Sequence, residues 1–438
     1  MSITRRNFIK AAGATAVVAA APRLAHSAPP LPVKNVVVVG GGFGGATAAK
    51  YIRMWSVAVN KPINVTLVDR DPAHTTCVLS NLVLNGRMKL SELQMPLARL
   101  FTNHGVTVLQ DTALEIYPSD RRVQLKQNGS IPYDRLVLAP GISFDNVTGW
   151  DPNTSAIQHA WVAGPQTTKL RQQLLTLRKG DTFVMTIPPA PYRCPPGPYE
   201  RACVVADMLK RLGGGKVIVL DANQEIVAER HTFETAFSTI YKDIVVHKKG
   251  AMLRSVIPGT DTSPPAVETS AGRFAGKVVN VIAPHRAPAL LKDAGLTNSD
   301  GWAPVNPLTY ETTQLTSSGI HVIGDSCAAP VQPKSGHMAN SQAKVCADAI
   351  VRYALGIDLL AVPDPDPDRT ANITTNSACY SPITYSEASW LTANYRYDLT
   401  KKQMVLTTPT PGEAPNWDGE NFEDMFTWAS NLFTDSFT

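Results

Sequence analysis

An apolar strand that runs into a glycine-rich turn is the clearest pattern along the chain. Residues 36–39 are four consecutive valines, and residues 40–45 are all glycine except for one phenylalanine. A helix is predicted over residues 46–52, and a second apolar run, residues 63–69, predicts another strand. The order strand, turn, helix, strand is typical of an α/β domain with parallel strands.

Three of the turn glycines, Gly40, Gly42 and Gly45, have the spacing GxGxxG. In a dinucleotide-binding turn the first glycine permits the tight turn, the second lets the backbone approach a pyrophosphate, and the third lets the helix pack closely. Asp69 ends the second strand and suits a ribose hydroxyl, and Arg70 beside it is assigned to the same ligand. The alternative is a glycine turn in another kind of α/β domain.

Two later segments support the dinucleotide interpretation. Residues 133–141 form a polar entry, an apolar strand and a tight turn that contains Ala139 and Gly141. Residues 319–325 form a strand that ends in Gly-Asp. Together with the glycine turn they resemble the three FAD signatures of two-dinucleotide-domain flavoproteins, in order and spacing. This resemblance implies that Asp325 binds the ribityl–pyrophosphate part of FAD.

A second α/β unit is predicted from a strand at residues 182–187, a helix at about 201–212 and a strand at 216–221. An NAD-binding domain would place another GxGxxG between its first strand and helix. Residues 188–200 instead contain six prolines, which lack the N–H donors that a pyrophosphate needs. The pattern therefore predicts that nicotinamide binding is lost and that another molecule donates electrons.

These patterns predict an α/β fold with two Rossmann-like domains, an FAD domain and a degenerate NAD-like domain, and a C-terminal α+β interface domain. The alternating prolines and aspartates of residues 362–368 break regular structure before that last domain. The predicted order is a signal peptide (1–28), a first FAD-domain segment (34–145), the NAD-like domain (146–283), a returning FAD-domain segment (284–355) and the C-terminal domain (356–438).

The first 28 residues have the features of an export signal. A twin-arginine motif at residues 4–10 precedes a mild apolar stretch, and small residues at 25–28 offer a cleavage site. An amphipathic N-terminal helix is the alternative. No other stretch approaches the roughly 20 apolar residues of a membrane span, so we expect a soluble, periplasmic protein.

The charge balance gives no indication of a basic surface for a nucleic-acid partner. The formal charge of the 438 residues is +5, but four basic residues lie in the leader, which has no acid: Arg5, Arg6, Lys10 and Arg23. The other 37 basic and 36 acidic residues leave about +1. A hydrophobic fraction of 44% and a charged fraction of 18% are ordinary for a soluble globular protein.

Four short segments carry a more specific resemblance. They are Thr76-Cys77 with the nearby Leu-Ser-Asn, the proline-rich loop around Cys194 (193–202), Cys379-Tyr380, and residues 333–342 with Pro-Lys-Ser-Gly and Ala-Asn-Ser-Gln. The chain resembles the flavoprotein subunit of flavocytochrome c sulfide dehydrogenase over essentially all of its mature length. This resemblance implies FAD, oxidation of hydrosulfide to sulfur or polysulfide, and a c-type cytochrome partner subunit in a heterodimer.

The resemblance also implies roles for three cysteines. Cys77 matches the cysteine that bonds the 8α-methyl group of FAD, and Cys194 and Cys379 match a redox-active disulfide over the flavin. A buried free thiol is the alternative at Cys77. A purely structural disulfide is the alternative for the pair, and which of its sulfurs faces the flavin is left open.

Three further residues are assigned by the same resemblance. Glu200 is expected to handle a proton or bind sulfide, although a first-turn helix acid is an equal alternative. Lys334 is expected to stabilise negative charge near flavin N1 and O2, with a plain surface lysine as the alternative. Trp428 matches a position near the flavin pocket, within a C-terminal aromatic stripe that otherwise suits core packing.

The other cysteines, Cys203, Cys327 and Cys346, are odd in number, so at least one is predicted to be a free thiol. The chain has no CxxC or Cys/His cluster, which argues against a metal site, and no CxxCH, so any haem c is expected on the partner. The alternatives are a sulfide:quinone oxidoreductase and a periplasmic flavoprotein acting on small thiols. An acidic C-terminal tail disfavours the quinone enzyme, which needs a membrane-binding surface.

Overall fold

The computed structural model of the chain describes residues 33–315 and 318–438. The predicted signal peptide, residues 1–28, lies outside the described residues. The helices are α1 (Phe43–Ala58), α2 (Asn81–Asn85), α3 (Ala98–His104), α4 (Pro165–Leu174), α5 (Gly197–Arg211), α6 (Arg230–Ser238), α7 (Ala289–Asp293), α8 (Gly336–Ala354), α9 (Pro367–Asn372) and α10 (Gly419–Phe437), with 3-10 turns at Leu90–Leu93 and Gly324–Ser326.

The strands follow the same order as the predicted domains. The N-terminal region contains β1 (Asn35–Val39), β2 (Asn64–Asp69), β3 (Ala73–Thr75), β4 (Gln94–Pro96), β5 (Thr107–Gln110), β6 (Ala113–Tyr117), β7 (Arg122–Leu125), β8 (Ser130–Pro132), β9 (Arg135–Leu138) and β10 (Ser143–Phe144). The middle region contains β11 (Thr182–Ile187), β12 (Lys216–Asp221), β13 (Val245–Lys248), β14 (Leu253–Ile257), β15 (Ala266–Thr269), β16 (Gly272–Ala275), β17 (Val278–Asn280) and β18 (His285–Arg286). The remainder are β19 (Ala303–Pro304), β20 (Ile320–Val322), β21 (Cys327–Ala328), β22 (Thr374–Pro382), β23 (Ala388–Asp398), β24 (Gln403–Leu406) and β25 (Gly412–Glu413).

The first sheet is parallel and has the strand order β20-β9-β1-β2-β5. Val38 of β1 lies opposite Leu67 and Val137, and all three side chains are fully buried. Helices α1 and α8 pack together over this sheet. Because β20 joins the edge beside β9, the chain leaves this sheet for the middle region and then returns to it.

The middle region contains a second parallel sheet with the order β13-β12-β11-β17. Its core is built from large buried side chains such as Phe183 of β11, Tyr199 of α5 and Phe233 of α6. In the C-terminal region, β22, β23 and β24 form an antiparallel sheet with β25 added to β23. The predicted fold class is confirmed, while the residue boundaries of the domains stay predictions.

Helix α10 returns to the first domain and contacts α1. The ring of Phe437 lies 5.3 Å from that of Phe43, and the ring of Phe433 lies 6.0 Å from it. The C-terminal region therefore covers the helix that follows the glycine turn.

Two predicted helices begin earlier than expected. Helix α1 starts at Phe43 and runs to Ala58, and α5 starts at Gly197 rather than near residue 201. Proline is tolerated in the first turn of a helix, where its missing N–H has no partner to lose, so Pro198 does not delay the start of α5. The earlier start brings the helix N-terminus close to Cys194.

Candidate active site

The glycine turn has the geometry that its spacing predicts. Gly40 has a φ of +99°, and a Cβ atom at Gly45 would lie 1.8 Å from the carbonyl oxygen of Gly40. Only glycine therefore permits this approach of α1 to the turn. The turn opens onto a groove of about 420 Å³, which is lined by Gly40, Gly42, Asp69, Arg70, Ala139 and Gly141.

Asp69 lines the groove and also hydrogen-bonds to the glycine turn. Its carboxylate accepts hydrogen bonds from the backbone N–H of Gly41 at 2.5 Å and of Asp71 at 2.9 Å. Arg70 is exposed and pairs with Asp71 at 3.2 Å. The structure thus brings the predicted groove residues together.

Asp325 is held by Arg193, which lines the groove. The Nε of Arg193 lies 2.9 Å from Asp325 Oδ2, whereas Asp325 Oδ1 is buried with no hydrogen-bond partner in the described chain. The Nε2 of His74, next to Gly42, is also buried and without a partner there. Since buried polar atoms are nearly always paired in native proteins, these two are available to bind a ligand.

A narrow inner cavity of about 60 Å³ begins where the groove ends, and Arg193 lines both. Residues far apart in sequence form its wall: Cys77, Cys194, Glu200, Cys379 and Trp428. The structure therefore gathers all three predicted redox or linking cysteines at one place. All six cysteines of the chain are free thiols in the structure, and the predicted Cys194–Cys379 bond stays a prediction.

Cys194 is held in an unusual backbone conformation. Its φ is +56°, its N–H donates to the carbonyl of Lys334 at 2.6 Å, and its carbonyl accepts from the N–H of Gly197. A Cβ atom at Gly197 would lie 2.8 Å from Cys194 Sγ and 2.9 Å from the ring of Trp161. Glycine at the start of α5 is thus what lets the sulfur sit beside the helix N-terminus, where the helix dipole favours a thiolate.

The cavity disfavours isolated negative charge. Burial raises the pKa of Cys194 and of Cys379, and the acidic neighbour Glu200 adds to both shifts. Burial also raises the pKa of Cys77, while the guanidinium of Arg193 opposes that shift. Arg193 is therefore positioned to favour a thiolate at Cys77.

Glu200 is both a first-turn residue of α5 and a lining residue of the inner cavity. Burial raises its pKa to about 8, although the side chain of Asn81 and the charge of Arg201 both lower it. A carboxyl group with a pKa near neutrality suits proton exchange with a substrate.

Lys334 is not brought to the cavity by its side chain. Its Nζ donates to the carbonyls of Asp325 at 2.9 Å and Cys327 at 2.8 Å, and it lies 3.7 Å from the ring centre of Trp302. Its backbone carbonyl instead supports Cys194. A role near flavin N1 and O2 stays a prediction, and the plain surface alternative is wrong because the residue is buried.

Cys379 and Trp428 come from the C-terminal region. Cys379 lies on β22, and Trp428 lies on α10 with its ring 5.5 Å from Tyr380 and 6.1 Å from His337. The Nε1 of Trp428 is buried and has no partner in the described chain. The remaining thiols, Cys203, Cys327 and Cys346, are buried away from the inner cavity.

A second feature of the middle domain disfavours a bound NAD. Asp221, which ends β12 where a ribose-binding acid would stand, is fully buried. Its carboxylate accepts from Tyr199 Oη at 2.8 Å and from the backbone and side chain of Asn223, and it contacts His247 at 3.0 Å. These neighbours, all within the described chain, occupy both carboxylate oxygens, which supports the interpretation of the proline loop.

Arg193 is the functional residue that sequence reasoning missed. In the sequence it is only the neighbour of Cys194, and nothing local marks its contact with Asp325 across the fold. Among the described residues no group of three or more His, Cys, Asp or Glu side chains could hold a metal ion.

Two known protein families match adjacent parts of the chain. Residues 34–174 match the pyridine nucleotide-disulphide oxidoreductases, and residues 167–283 match the central region of the sulfide dehydrogenase (flavocytochrome c) flavoprotein chain. The flavoprotein chain of this enzyme from Chlorobaculum thiosulfatiphilum is 54% identical over 50 residues, which is 96% of that chain and 11% of the present one. The chain belongs to the family of sulfide dehydrogenase (flavocytochrome c) flavoprotein chains.

More distant similarity extends over most of the molecule. The mitochondrial sulfide:quinone oxidoreductase of Dictyostelium discoideum is 22% identical over 338 residues, which is 75% of this chain and 72% of that protein. The solved sulfide:quinone oxidoreductase of Aquifex aeolicus has a TM-score of 0.71 at 16% identity and covers 92% of both chains, which shows a shared fold. The present chain is therefore a flavin-dependent oxidoreductase of the sulfide-oxidising type.

Residues 2–22 match a twin-arginine translocation signal, which confirms the predicted export to the periplasm. They lie outside the described residues. Among the residues that are described, no helix is long and apolar enough to cross a membrane.

Proposed function

We propose that this chain oxidises hydrosulfide at a Cys194–Cys379 disulfide and passes the electrons through FAD to a c-type cytochrome subunit. One observation carries the proposal. Three cysteines from separate segments line one cavity together with a carboxyl group whose pKa lies near neutrality. A chance gathering of packing cysteines would not be expected to share a wall with Glu200 and with the end of a dinucleotide groove.

The side chains fit FAD at several points. Gly42 and Asp69 of the groove, together with the unpaired oxygen of Asp325 beside Arg193, would hold its pyrophosphate and sugar-like parts. Cys77, in the inner cavity near Arg193, would carry the covalent bond to the 8α-methyl group. When bound, the flavin takes up an electron pair and releases it as single electrons, which suits a one-electron acceptor.

The disulfide provides the reaction with sulfide. Hydrosulfide attacks one sulfur, the bond between Cys194 and Cys379 breaks, and the other sulfur leaves as a thiolate with the electron pair. The N-terminus of α5 stabilises negative charge at Cys194, and Glu200 exchanges a proton with the bound sulfur species. The products are a persulfide and a thiolate, so atoms and charge balance.

The acceptor is proposed to be a cytochrome subunit because the family of this chain is named for a flavocytochrome c. The C-terminal tail supports a protein partner over a membrane. Beyond Lys402 it has no lysine or arginine, while it carries Glu420, Glu423, Asp424 and Asp435. Such a surface is a poor match to anionic lipid.

The first experiment mixes the purified flavin-loaded protein anaerobically with sulfide and, separately, with NADH. Sulfide is expected to bleach the flavin band and NADH to leave it unchanged. Cys194→Ser and Cys379→Ser should each retain flavin but lose bleaching by sulfide. The buried thiol variant Cys346→Ser, away from the cavity, is the matched control and should behave as wild type.

Bleaching by NADH alone would contradict the proposal, as would full activity of either cavity variant. Bleaching by small thiols but not by sulfide would favour the thiol-oxidising alternative. Reoxidation of the bleached protein by a c-type cytochrome, and not by a soluble quinone, supports the proposed acceptor. Acid-precipitated wild type should stay yellow, while Cys77→Ser should lose its colour.

A further inference from the structure

A second cavity lies on the other side of Cys379. This outer cavity has a volume of about 620 Å³ and is bounded by the proline loop, the start of α6 and the strands β22 and β23. Its rim includes Val331, which is 59% exposed, so the cavity reaches the surface. Cys379 is the cysteine that lines both cavities, whereas Cys194 lines the inner one.

Glu229 is one of the residues in the wall of this outer cavity. Its side chain is buried, and its backbone has a φ of +49°, which is costly for a residue other than glycine. Its Oε2 accepts a hydrogen bond from the hydroxyl of Ser381, two residues beyond Cys379. Its Oε1 is buried and has no partner in the described chain. A strained, buried acid with one open oxygen at a cavity wall is a candidate for a functional contact.

The charged groups around Glu229 do not offset the negative charge of its ionised form. Glu413 and Glu200 face it from β25 and α5, and both favour its neutral form. On α6, Arg230 pairs with Glu225 at 2.7 Å and with Glu234 at 3.2 Å. His231 also lines the cavity. Within the described ranges, no ion pair joins Glu229 to any of these cations.

We infer that the outer cavity admits sulfide to Cys379 and that Glu229 is its acid–base residue, an inference that rests on the proposed function. In this step neutral hydrogen sulfide gives a proton to the Glu229 carboxylate. The resulting hydrosulfide attacks Cys379 Sγ, and the bond to Cys194 breaks with the electron pair on Cys194. The products are a persulfide on Cys379, a thiolate on Cys194 and a proton on Glu229, which then passes to water in the outer cavity.

Two properties support this assignment. A neutral molecule enters this cavity more readily than an anion, because the lining guanidinium of Arg230 is already paired with Glu225 and Glu234 and the anion would lose hydration in return for little attraction. Burial raises the pKa of Glu229 to about 8, against the opposing hydrogen bond from Ser381. A general base is most effective when its pKa lies near the working pH.

The test measures persulfide on the Cys379 peptide after a brief exposure to sulfide, by alkylation and mass spectrometry, at several pH values from about 6 to 9. We expect Glu229→Gln to form persulfide about 10²-fold more slowly than wild type between about pH 7 and 8, where part of the wild-type carboxyl is ionised, the effect of losing a general base. Near pH 6 the wild-type carboxyl holds its proton, so the two proteins should differ little there. The difference should shrink near pH 9, where the substrate is already ionised. Glu225→Gln is the matched control, since Glu225 is exposed and outside the cavity.

A second measurement follows alkylation of Cys379 in the reduced protein as a function of pH. Glu229 raises the pKa of Cys379, so Glu229→Gln should shift its alkylation profile to lower pH. Should that variant not fold, Ser381→Ala removes a hydrogen bond that lowers the pKa of Glu229, and the pH limb of persulfide formation should move to higher pH.

Equal persulfide rates in wild type and Glu229→Gln at every pH would overturn the role of Glu229. Persulfide found on Cys194 instead of Cys379 would overturn the outer cavity as the entry site. Both results leave the proposed function standing. Absence of persulfide from both cysteines of the wild type would overturn the proposed function itself.

Discussion

Glu200 links the residue scale to a measurable pH dependence. Burial raises its folded pKa to about 8 from 4.5. The folded state therefore holds this proton over a pH range in which the unfolded chain has lost it. The contribution of the neutral Glu200 carboxyl to the free energy of unfolding is fully present below about pH 4.5. This contribution falls as the pH rises and is lost once the pH has passed about 8.

We therefore expect Glu200→Gln to gain stability relative to wild type between about pH 5 and 8. The slope is at most about 1.4 kcal/mol per pH unit for one proton. Thermal midpoints of both proteins across this range measure the effect. Glu225→Gln, which changes an exposed carboxyl, should show the same change of thermal midpoint with pH as wild type. If the midpoints of Glu200→Gln also ran parallel to those of wild type across this range, the assigned pKa would be contradicted.

Gly197 has a second residue-scale role, because it leaves room for the sulfur of Cys194. Gly197→Ala would place a Cβ atom 2.8 Å from Cys194 Sγ and 2.9 Å from Trp161. We expect a loss of about 1–3 kcal/mol in stability from overpacking. Displacement of the sulfur should also slow flavin reduction by sulfide about 10²-fold.

Gly419→Ala is the control for this substitution, since the nearest atom to its new Cβ lies 3.8 Å away. Stopped-flow bleaching and thermal unfolding of both variants provide the comparison. Wild-type bleaching kinetics in Gly197→Ala would show that Cys194 does not depend on this space.

At the scale of elements, α10 carries Trp428 to the cavity and depends on its first turn. The side chain of Asp418 accepts the N–H of Asn421 at 2.8 Å and so caps the helix. Asp418→Ala should cost about 1 kcal/mol of stability. Glu423→Ala, which removes an exposed acid from the same helix, should cost less, and equal losses in thermal unfolding would contradict the capping role.

The elements also show what sequence could and could not predict. The glycine turn, β11 and β12 were predictable because their signals are local: an apolar run, a turn residue, an acid. The predicted start of α5 is too late, since the proline-rich segment reads as a loop up to residue 200, although prolines fit a first helical turn. The lysine of the Pro-Lys-Ser-Gly turn gives no local sign that its Nζ binds carbonyls rather than facing the cavity.

Long-range pairings were outside the reach of sequence patterns. The contact of Arg193 with Asp325, and the burial of Asp221 under Tyr199, join segments that meet only in the folded chain. Glu229 lies in no recognisable motif, and its proposed role follows from the cavity that it lines. The three cysteines were assigned to one site by resemblance to a family, because spacing alone cannot establish which cysteines meet.

At the scale of the whole molecule, the proposed Cys194–Cys379 bond would join the middle domain to the C-terminal domain. Cys194 precedes α5, whereas Cys379 lies on β22, in the same region of the chain as the helix that covers α1. A bond that closes so long a loop restricts the unfolded chain, and its stabilisation reaches about 5 kcal/mol in the loop-entropy description. Reduction should therefore loosen the C-terminal domain.

We expect a phosphine reductant to lower the thermal midpoint of the oxidised wild type and to leave that of Cys194→Ser unchanged. Sulfide should produce the same drop in wild type, because a bond attacked by the substrate must open without unfolding. A structural disulfide would respond to the reductant only after denaturation. If sulfide bleached the flavin normally but left the thermal midpoint of wild type unchanged, the redox reaction would not involve this pair of cysteines. That result would contradict the proposed bond.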